Sequence, residues 1–139
     1  MMTDCIFCKI IAGNIPCAKI YEDDATLAFL DIGPCSDGHT LVIPKKHYET
    51  LDQCDPETMA AVGETLTNVA LALVNALDIH GYNVVCNNGS QAGQEVPHLH
   101  FHIIPCKGNQ KCVKLASQGQ YAPGQMENIR KTIADALAR

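Results

Sequence analysis

His98-Leu99-His100-Phe101-His102-Ile103-Ile104-Pro105 sets three imidazoles at alternate positions of an otherwise apolar run. In an extended strand alternate residues share a face, so His98, His100 and His102 are expected as a row about 7 Å apart from one to the next. Leu99, Phe101 and Ile103 then point the opposite way, into a core. Valine or threonine would pack a strand face better than imidazole, so three in register mark a site rather than a folding requirement. Two chemistries fit the row: a transition-metal centre, or a nucleophilic imidazole with helpers.

The flanking sequence supplies the rest of a sheet. Residues 18–21 and 25–30 are β-compatible runs around the acidic turn Glu22-Asp23-Asp24 and read as a hairpin. After a loop from Gly33 to Gly38, residues 39–44 form another strand, which Pro44 stops. Residues 82–87 form a strand and 88–96 a loop, and the histidine row is the last strand. Residues 5–12 are one or two helical turns ended by Gly13-Asn14, and a terminal helix is expected near 125–137. Asp55-Pro56 reads as a cap and first turn, Gly81 as a stop, and a long helix is expected over 56–79. Met59, Val62, Leu66, Val69, Leu73 and Ala76 recur at spacings of three and four, and Ala70, Val74 and Leu77 widen that stripe. The wide stripe fits one flank on the sheet and another against a two-fold partner helix, or a solitary core helix in a monomer. Strands grouped around one long helix predict the α+β class.

A chain of 139 residues has the size of one domain, expected over 1–139. The net charge of −5 argues against a general affinity for nucleic acid or anionic membranes. A phosphate ligand held by backbone N–H groups is compatible with that charge. The start, MMTDCIFCKI, has neither a basic lead nor a long apolar stretch, and no apolar run approaches about 18 residues. No signal peptide and no membrane span are expected. The eight cysteines then read as reduced thiols of a cytoplasmic protein.

Beyond the row, His39 opens the strand that Pro44 ends, His47 follows it, and His80 reads as surface punctuation beside Gly81. Cys5-Ile6-Phe7-Cys8 is a CxxC pair, whose spacing suits two zinc thiolates, a redox dithiol, or chance in a cysteine-rich chain. A thioredoxin-like strand before it is lacking. His47 and one histidine of the row could close a Cys₂His₂ tetrahedron with it, a closed set of the structural kind. The loop Asn87-Asn88-Gly89-Ser90-Gln91-Ala92-Gly93-Gln94-Glu95 leads directly into the row, and its glycines permit close approach of an anion to exposed backbone N–H groups.

These stretches carry a resemblance. HLHFHII fits the His-x-His-x-His motif of the histidine triad (HIT) family. KIIAGNIPCAKIYEDDATLAFLDI, GHTLVIPKKH and NNGSQAGQEVPHLHFHIIP resemble its nucleotide-binding-protein branch, phosphoramidase-like and of the zinc-binding CxxC subtype. The similarity runs from about Cys5 to Pro105, which leaves 106–139 as a C-terminal extension. It implies a HIT-like fold, an antiparallel meander sheet with one long helix and short terminal helices. It also implies a homodimer through the long helix and hydrolysis or transfer at the α-phosphate of a purine nucleotide.

By resemblance His100 is the nucleophile that forms a covalent nucleotidyl-imidazole, with His102 and His39 orienting and supporting it. Asp31 matches the ribose-gripping acid and Ile32 the base-pocket lining. Asn87, Gly93, Gln94 and the Glu95 backbone fall in the phosphate-contacting loop. Cys5, Cys8, His47 and His98 match the ligands of one structural zinc. A neutral imidazole is suited to attack on phosphorus, because it needs to lose no proton first. Three departures bear on selectivity. Glu95 stands where many relatives have Ser or Thr, Cys106-Lys107 follows Pro105 where an arginine is common, and a helix replaces the tryptophan-bearing tail of some relatives. The leading expectation is hydrolysis of purine nucleoside phosphoramidates. Dinucleoside polyphosphate hydrolysis, nucleotidyl transfer, and a non-catalytic zinc-stabilised nucleotide-binding module are the competing ones.

Overall fold

Asp23 builds the first turn: its Oδ1 accepts from the backbone N–H of Ala25 (2.9 Å) and Thr26 (2.7 Å), an Asx turn that folds strand β1 (Lys19–Glu22) onto β2 (Thr26–Leu30). β3 (Thr40–Pro44) adds antiparallel to β2. Ahead of these strands lies the short helix α1 (Ile6–Ile11). After them come α2 (Pro56–Ala76), β4 (Gly81–Val85), β5 (Phe101–Cys106) and α3 (Gln125–Leu137). The computed structural model describes residues 4–108, 113–116 and 118–137, and Cys112 lies outside them.

The expected α+β class holds, and every strand pairing is antiparallel in a sheet of order β1-β2-β3-β5-β4. The meander is followed through β1-β2-β3 and then broken. α2 carries the chain past one strand position, and β5 returns into the gap between β3 and β4. The histidine-bearing strand is therefore interior, next to the edge strand β4, with His102 opposite Leu41 on one side and Val85 on the other.

Each face of the sheet has its own core. Ala28, Val42, Leu99, Phe101 and Ile103 pack under Val62, Val69, Ala70 and Leu73 of α2. Leu27, Phe29, Leu41 and Ile43 pack with Cys5, Phe7 and Cys8 of the α1 segment. Directly paired residues share a face, so His102 lies with Leu41 on the α1 side. A buried hydroxyl pair, Thr26 Oγ1 to Thr65 Oγ1 at 2.7 Å, ties β2 to α2.

α2 starts as read: Asp55 is its cap, accepting from the Thr58 N–H at 2.7 Å, with proline in the first turn. It ends at Ala76, three residues short of expectation. Leu77 is extended, because its Cδ1 is needed against Gly38, where a Cβ would lie only 2.6 Å away. Gly81 thus opens β4 rather than ending the helix. By length and composition alone α2 could cross a membrane, contrary to the reading of the apolar runs, with a mean hydropathy of 1.3. Val62, Thr65, Val69, Ala70 and Leu73 are instead buried against the sheet, as in a core helix.

Pro44 ends β3 as read, whereas Pro105 lies inside β5. Its carbonyl accepts from Ser36 Oγ at 2.6 Å, on the side where β3 has already ended, so the missing N–H breaks no ladder bond. Leu99, fully buried between two histidines in sequence, tests the face assignment. Leu99→Ala is expected to cost about 2–5 kcal/mol by denaturant unfolding, whereas a Leu99 facing solvent would cost well under 1.

Candidate active site and metal centre

Only part of the histidine row is strand. β5 begins at Phe101, while His98 and His100 belong to the segment leading into it, where the His98 N–H turns back to Val96 O at 2.8 Å. That turn breaks the equal spacing expected of the row. His98 reaches the α1 segment, and the His100 and His102 rings lie 4.9 Å apart between centroids.

Backbone groups fix the state of each ring. A carbonyl only accepts, so the 2.7 Å contact of His100 Nδ1 with His98 O places the proton on Nδ1 and leaves Nε2 with its lone pair. The Cys35 N–H donates to His39 Nδ1 at 3.0 Å, so neutral His39 carries its proton on Nε2 and donates it to His102 Nδ1 at 2.9 Å. His102 in turn is left with an N–H at Nε2. The result is one imidazole with a bare lone pair beside another presenting a donor. Asp31 Oδ2 lies 3.6 Å from His39 Nε2, and its Oδ1 accepts from the Gly33 N–H at 2.8 Å.

Asp31, His39 and His102 are close enough to hold a metal ion. The Cys35 N–H opposes that use: a metal on His39 Nε2 would force the ring proton onto Nδ1, against a second hydrogen. We read the group as a hydrogen-bonded relay, which disfavours the metal-centre interpretation of the row.

Cys5, Cys8, His47 and His98 form a different kind of set. His98 Nε2 donates to Pro44 O at 2.9 Å, which turns its Nδ1 lone pair toward Cys5 Sγ (3.3 Å), Cys8 Sγ (3.7 Å) and His47 Nδ1 (3.1 Å). Cys8 Sγ is 3.4 Å from His47 Nδ1. Bond lengths of about 2.3 Å to sulfur and 2.0–2.1 Å to nitrogen give tetrahedral edges of about 3.3–3.8 Å, so the four atoms fit one metal ion. The Cys5 sulfur also caps α1, accepting from the Cys8 N–H at 3.3 Å. With four protein ligands the set is closed to water, and a metal there would contribute folding energy.

The two centres are braced together. Phe7, between the two cysteines, lies edge-on to His98 and His100 at 5.8 and 5.1 Å. The strand-to-helix segment carrying His47 is stapled to the row by Leu99 N–H to Tyr48 O and to the loop before it by Leu51 N–H to Asn88 Oδ1 and Gln94 Nε2 to Glu49 O, each 2.7 Å. In that loop Gln94 Oε1 also accepts from the Gly89 N–H at 2.7 Å, so the Gln94 side chain holds loop shape. Gly93 has φ of 94° and lies against Asn87, whose Nδ2 would sit 3.6 Å from an added Cβ. Glu95 is exposed, and Ile32 is fully exposed beside Asp31. His80, read as surface punctuation, accepts from the Gly108 N–H at 2.7 Å.

Sequence reasoning missed the Cys35 N–H and the Pro44 carbonyl, which select the tautomers of His39 and His98. Main-chain donors and acceptors leave no trace in residue type.

Burial lowers the proton affinity of all four inner rings, holding His98 and His102 down to about 4 and His39 and His100 below the ordinary histidine range. For His102 the unfolded chain takes up a proton near pH 6.5 and the folded chain only near 4. Its contribution to stability is full above 6.5 and is lost as pH falls toward 4. The fall in urea midpoint across that window is expected to be shallower in His102→Gln than in wild type. Identical slopes would contradict the assignment.

A histidine cluster on an interior strand is thus braced to a closed Cys₂His₂ set. Residues 12–109 match the HIT domain, and the chain belongs to that family. It is 47% identical over 107 residues to adenylylsulfatase HINT3 of Arabidopsis thaliana, covering 77% of this chain and 54% of that relative. It is 48% identical over 101 residues to adenosine 5'-monophosphoramidase hnt1 of Schizosaccharomyces pombe, 73% of each chain. A crystal structure of a HIT family protein from Bacillus anthracis superposes with a TM-score of 0.90 at 39% identity, over 98% of this chain and 99% of that one. A zinc-bound histidine triad family protein from Mycobacterium smegmatis gives a TM-score of 0.74 at 37% identity, over 91% and 88%.

Proposed function

We propose that the protein hydrolyses purine nucleoside phosphoramidates at the α-phosphate through a nucleotidyl adduct on His100, with zinc in the Cys5–Cys8–His47–His98 set. The observation that carries this reading is the His100 Nδ1–H bond to His98 O, which leaves an unprotonated Nε2 in a ring that burial keeps neutral. Nε2 attacks phosphorus and the P–N bond to the amine breaks; the leaving nitrogen takes its proton from solvent while the His102 Nε2–H is placed to hydrogen-bond the reacting group. Water then attacks phosphorus and releases a proton to solvent, the P–Nε2 bond breaks, and the nucleoside monophosphate leaves with His100 and His102 neutral as at the start. Asp31 suits the ribose hydroxyls, Ile32 the base, and Asn87 with the Gly93–Glu95 backbone the phosphate oxygens, where each donor supplies about 3 kcal/mol in the transition state by analogy with oxyanion holes.

The relatives support the substrate class: one is a monophosphoramidase and another an adenylylsulfatase. A panel of adenosine phosphoramidate, adenylyl sulfate and dinucleoside polyphosphates, ranked by kcat/KM, tests it. The phosphoramidate is expected first. A dinucleoside polyphosphate in first place, or no turnover of any of them, would overturn the reading.

The exposed flank of α2 faces the same way as the outer face of β4, an edge strand. Leu71, Val74, Tyr82 and Val84 surround an apolar groove of about 410 Å³ between them. We assign this face to a homodimer. Sedimentation of the wild type is expected to give a dimer at micromolar concentration and Val84→Glu a monomer; a monomeric wild type would refute the assignment.

A further inference from the structure

The side chain of Gln94 is fully committed within the protein. Its Oε1 accepts from the Gly89 N–H at 2.7 Å, and its Nε2 donates to Glu49 O at 2.7 Å and to Val96 O at 3.0 Å. A side-chain amide has two N–H donors, so Gln94 has none left for a phosphate oxygen. The expectation that Gln94 touches the nucleotide is corrected here for its side chain.

The main chain of the same loop is closed almost as completely. The Ala92 and Gln94 N–H groups donate to Gly89 O at 3.0 and 3.1 Å, and the Gly93 N–H donates to Ser90 O at 3.1 Å. Gln94 and Gly89 thus hold each other twice, through main chain and side chain, and close residues 89–94 into a ring. Between Gly93 and Glu95, the Glu95 N–H is the one left without a protein partner among the described residues. Gln94 brackets that peptide: its main chain closes the ring before Glu95, and its Nε2 grips the Val96 carbonyl after it. The same nitrogen holds Glu49 O, so the bracket is anchored on the segment that carries His47. Val96 O also accepts from the His98 N–H at 2.8 Å, so the turn into the row has its own bond and does not depend on Gln94.

We infer that Gln94 is a positioning residue for phosphate recognition, holding the Glu95 N–H as the donor to an α-phosphate oxygen while its own side chain touches no part of the nucleotide. The inference rests on the reading of this loop as phosphate-contacting, and adds which group donates and what holds it. A donor already fixed in place binds an anion without the ordering cost that a loose loop incurs. Removing the Gln94 side chain therefore acts on the phosphate and leaves recognition of the nucleoside intact.

Calorimetric titration of the full chain with adenosine and with adenosine monophosphate tests it, on wild type and on Gln94→Met, which keeps the side-chain length and removes its three hydrogen bonds. Wild type is expected to prefer the monophosphate. In Gln94→Met the monophosphate dissociation constant is expected to rise at least about tenfold, the scale of one charge-assisted hydrogen bond, with adenosine within about twofold of wild type. In ¹⁵N NMR of wild type, the monophosphate is expected to shift the Glu95 amide and leave the Gln94 side-chain NH₂ signals in place, a readout that stands even where the variant fails to fold. An unchanged preference in a folded Gln94→Met, an equal loss for both ligands, or NH₂ signals that move with the Glu95 amide would each overturn the inference. A wild type that binds both ligands equally would overturn the phosphate-loop reading with it. Loss of the preference in Gln94→Met, in a protein that turns over no phosphoramidate, would overturn the hydrolase reading and leave the role of Gln94 standing.

Discussion

His100→Ala is expected to lower kcat for an adenosine phosphoramidate by about 10⁴-fold or more, the scale seen when a covalent nucleophile is removed. Nucleoside monophosphate affinity should change by less than about tenfold, because the attacking lone pair acts in the transition state rather than in ground-state binding. His100 is buried, so alanine also leaves a void. His100→Asn separates the two effects: its amide N–H can keep the hydrogen bond to His98 O, but it has no nucleophilic ring nitrogen to attack phosphorus. Stopped-flow or coupled assays should find it folded and as inactive as alanine. Activity within tenfold of wild type in either variant would show that some other group reaches phosphorus.

The second large effect concerns the Cys₂His₂ set. Cys5→Ser or Cys8→Ser is expected to reduce zinc from one per chain to near zero and to destabilise the fold by about 5 kcal/mol or more. The apparent free energy of a structural zinc is at least that large. For a chain of this size the melting temperature would fall by about 15 °C. Two ligands come from the α1 segment, one from the end of β3 and one from the approach to β5, so the ion would clamp three separate segments. Chelation should reproduce the drop in wild type and add nothing in Cys5→Ser. Elemental analysis decides it, and undiminished zinc in either variant would contradict the ligand set. A zinc-free protein with unchanged melting would contradict its structural role.

Much of this was legible in the chain. β-Compatible runs bounded by turn residues placed β2 and β3, and period-two alternation placed the inward side of the row, since Leu99, Phe101 and Ile103 do lie in the core. Asp55-Pro56 marked the start of α2, and the CxxC pair with His47 and His98, the set implied by the family resemblance, does come together as a possible metal site. What failed was set by contacts distant in sequence. Helical periodicity continues past Ala76, but Leu77 is drawn off the helix to pack on Gly38. Strand alternation continues back to His98, but its ring is drawn to Cys5 and Cys8. The order of strands has the same origin. A single sequence marks where strands lie but not which gap the last one fills.

These contacts also divide three similar imidazoles into unlike roles. His98 turns to the sulfurs, His100 is fixed with a free Nε2, and His102 is held by His39. The most direct test is to quench turnover of an adenosine phosphoramidate within milliseconds and map the adduct by mass spectrometry, with ³¹P NMR to identify the linkage. The account predicts an acid-labile adenylyl group on His100, bonded through Nε2 and absent from His100→Asn. Turnover at full rate with no adduct, or an adduct on another residue, would contradict it.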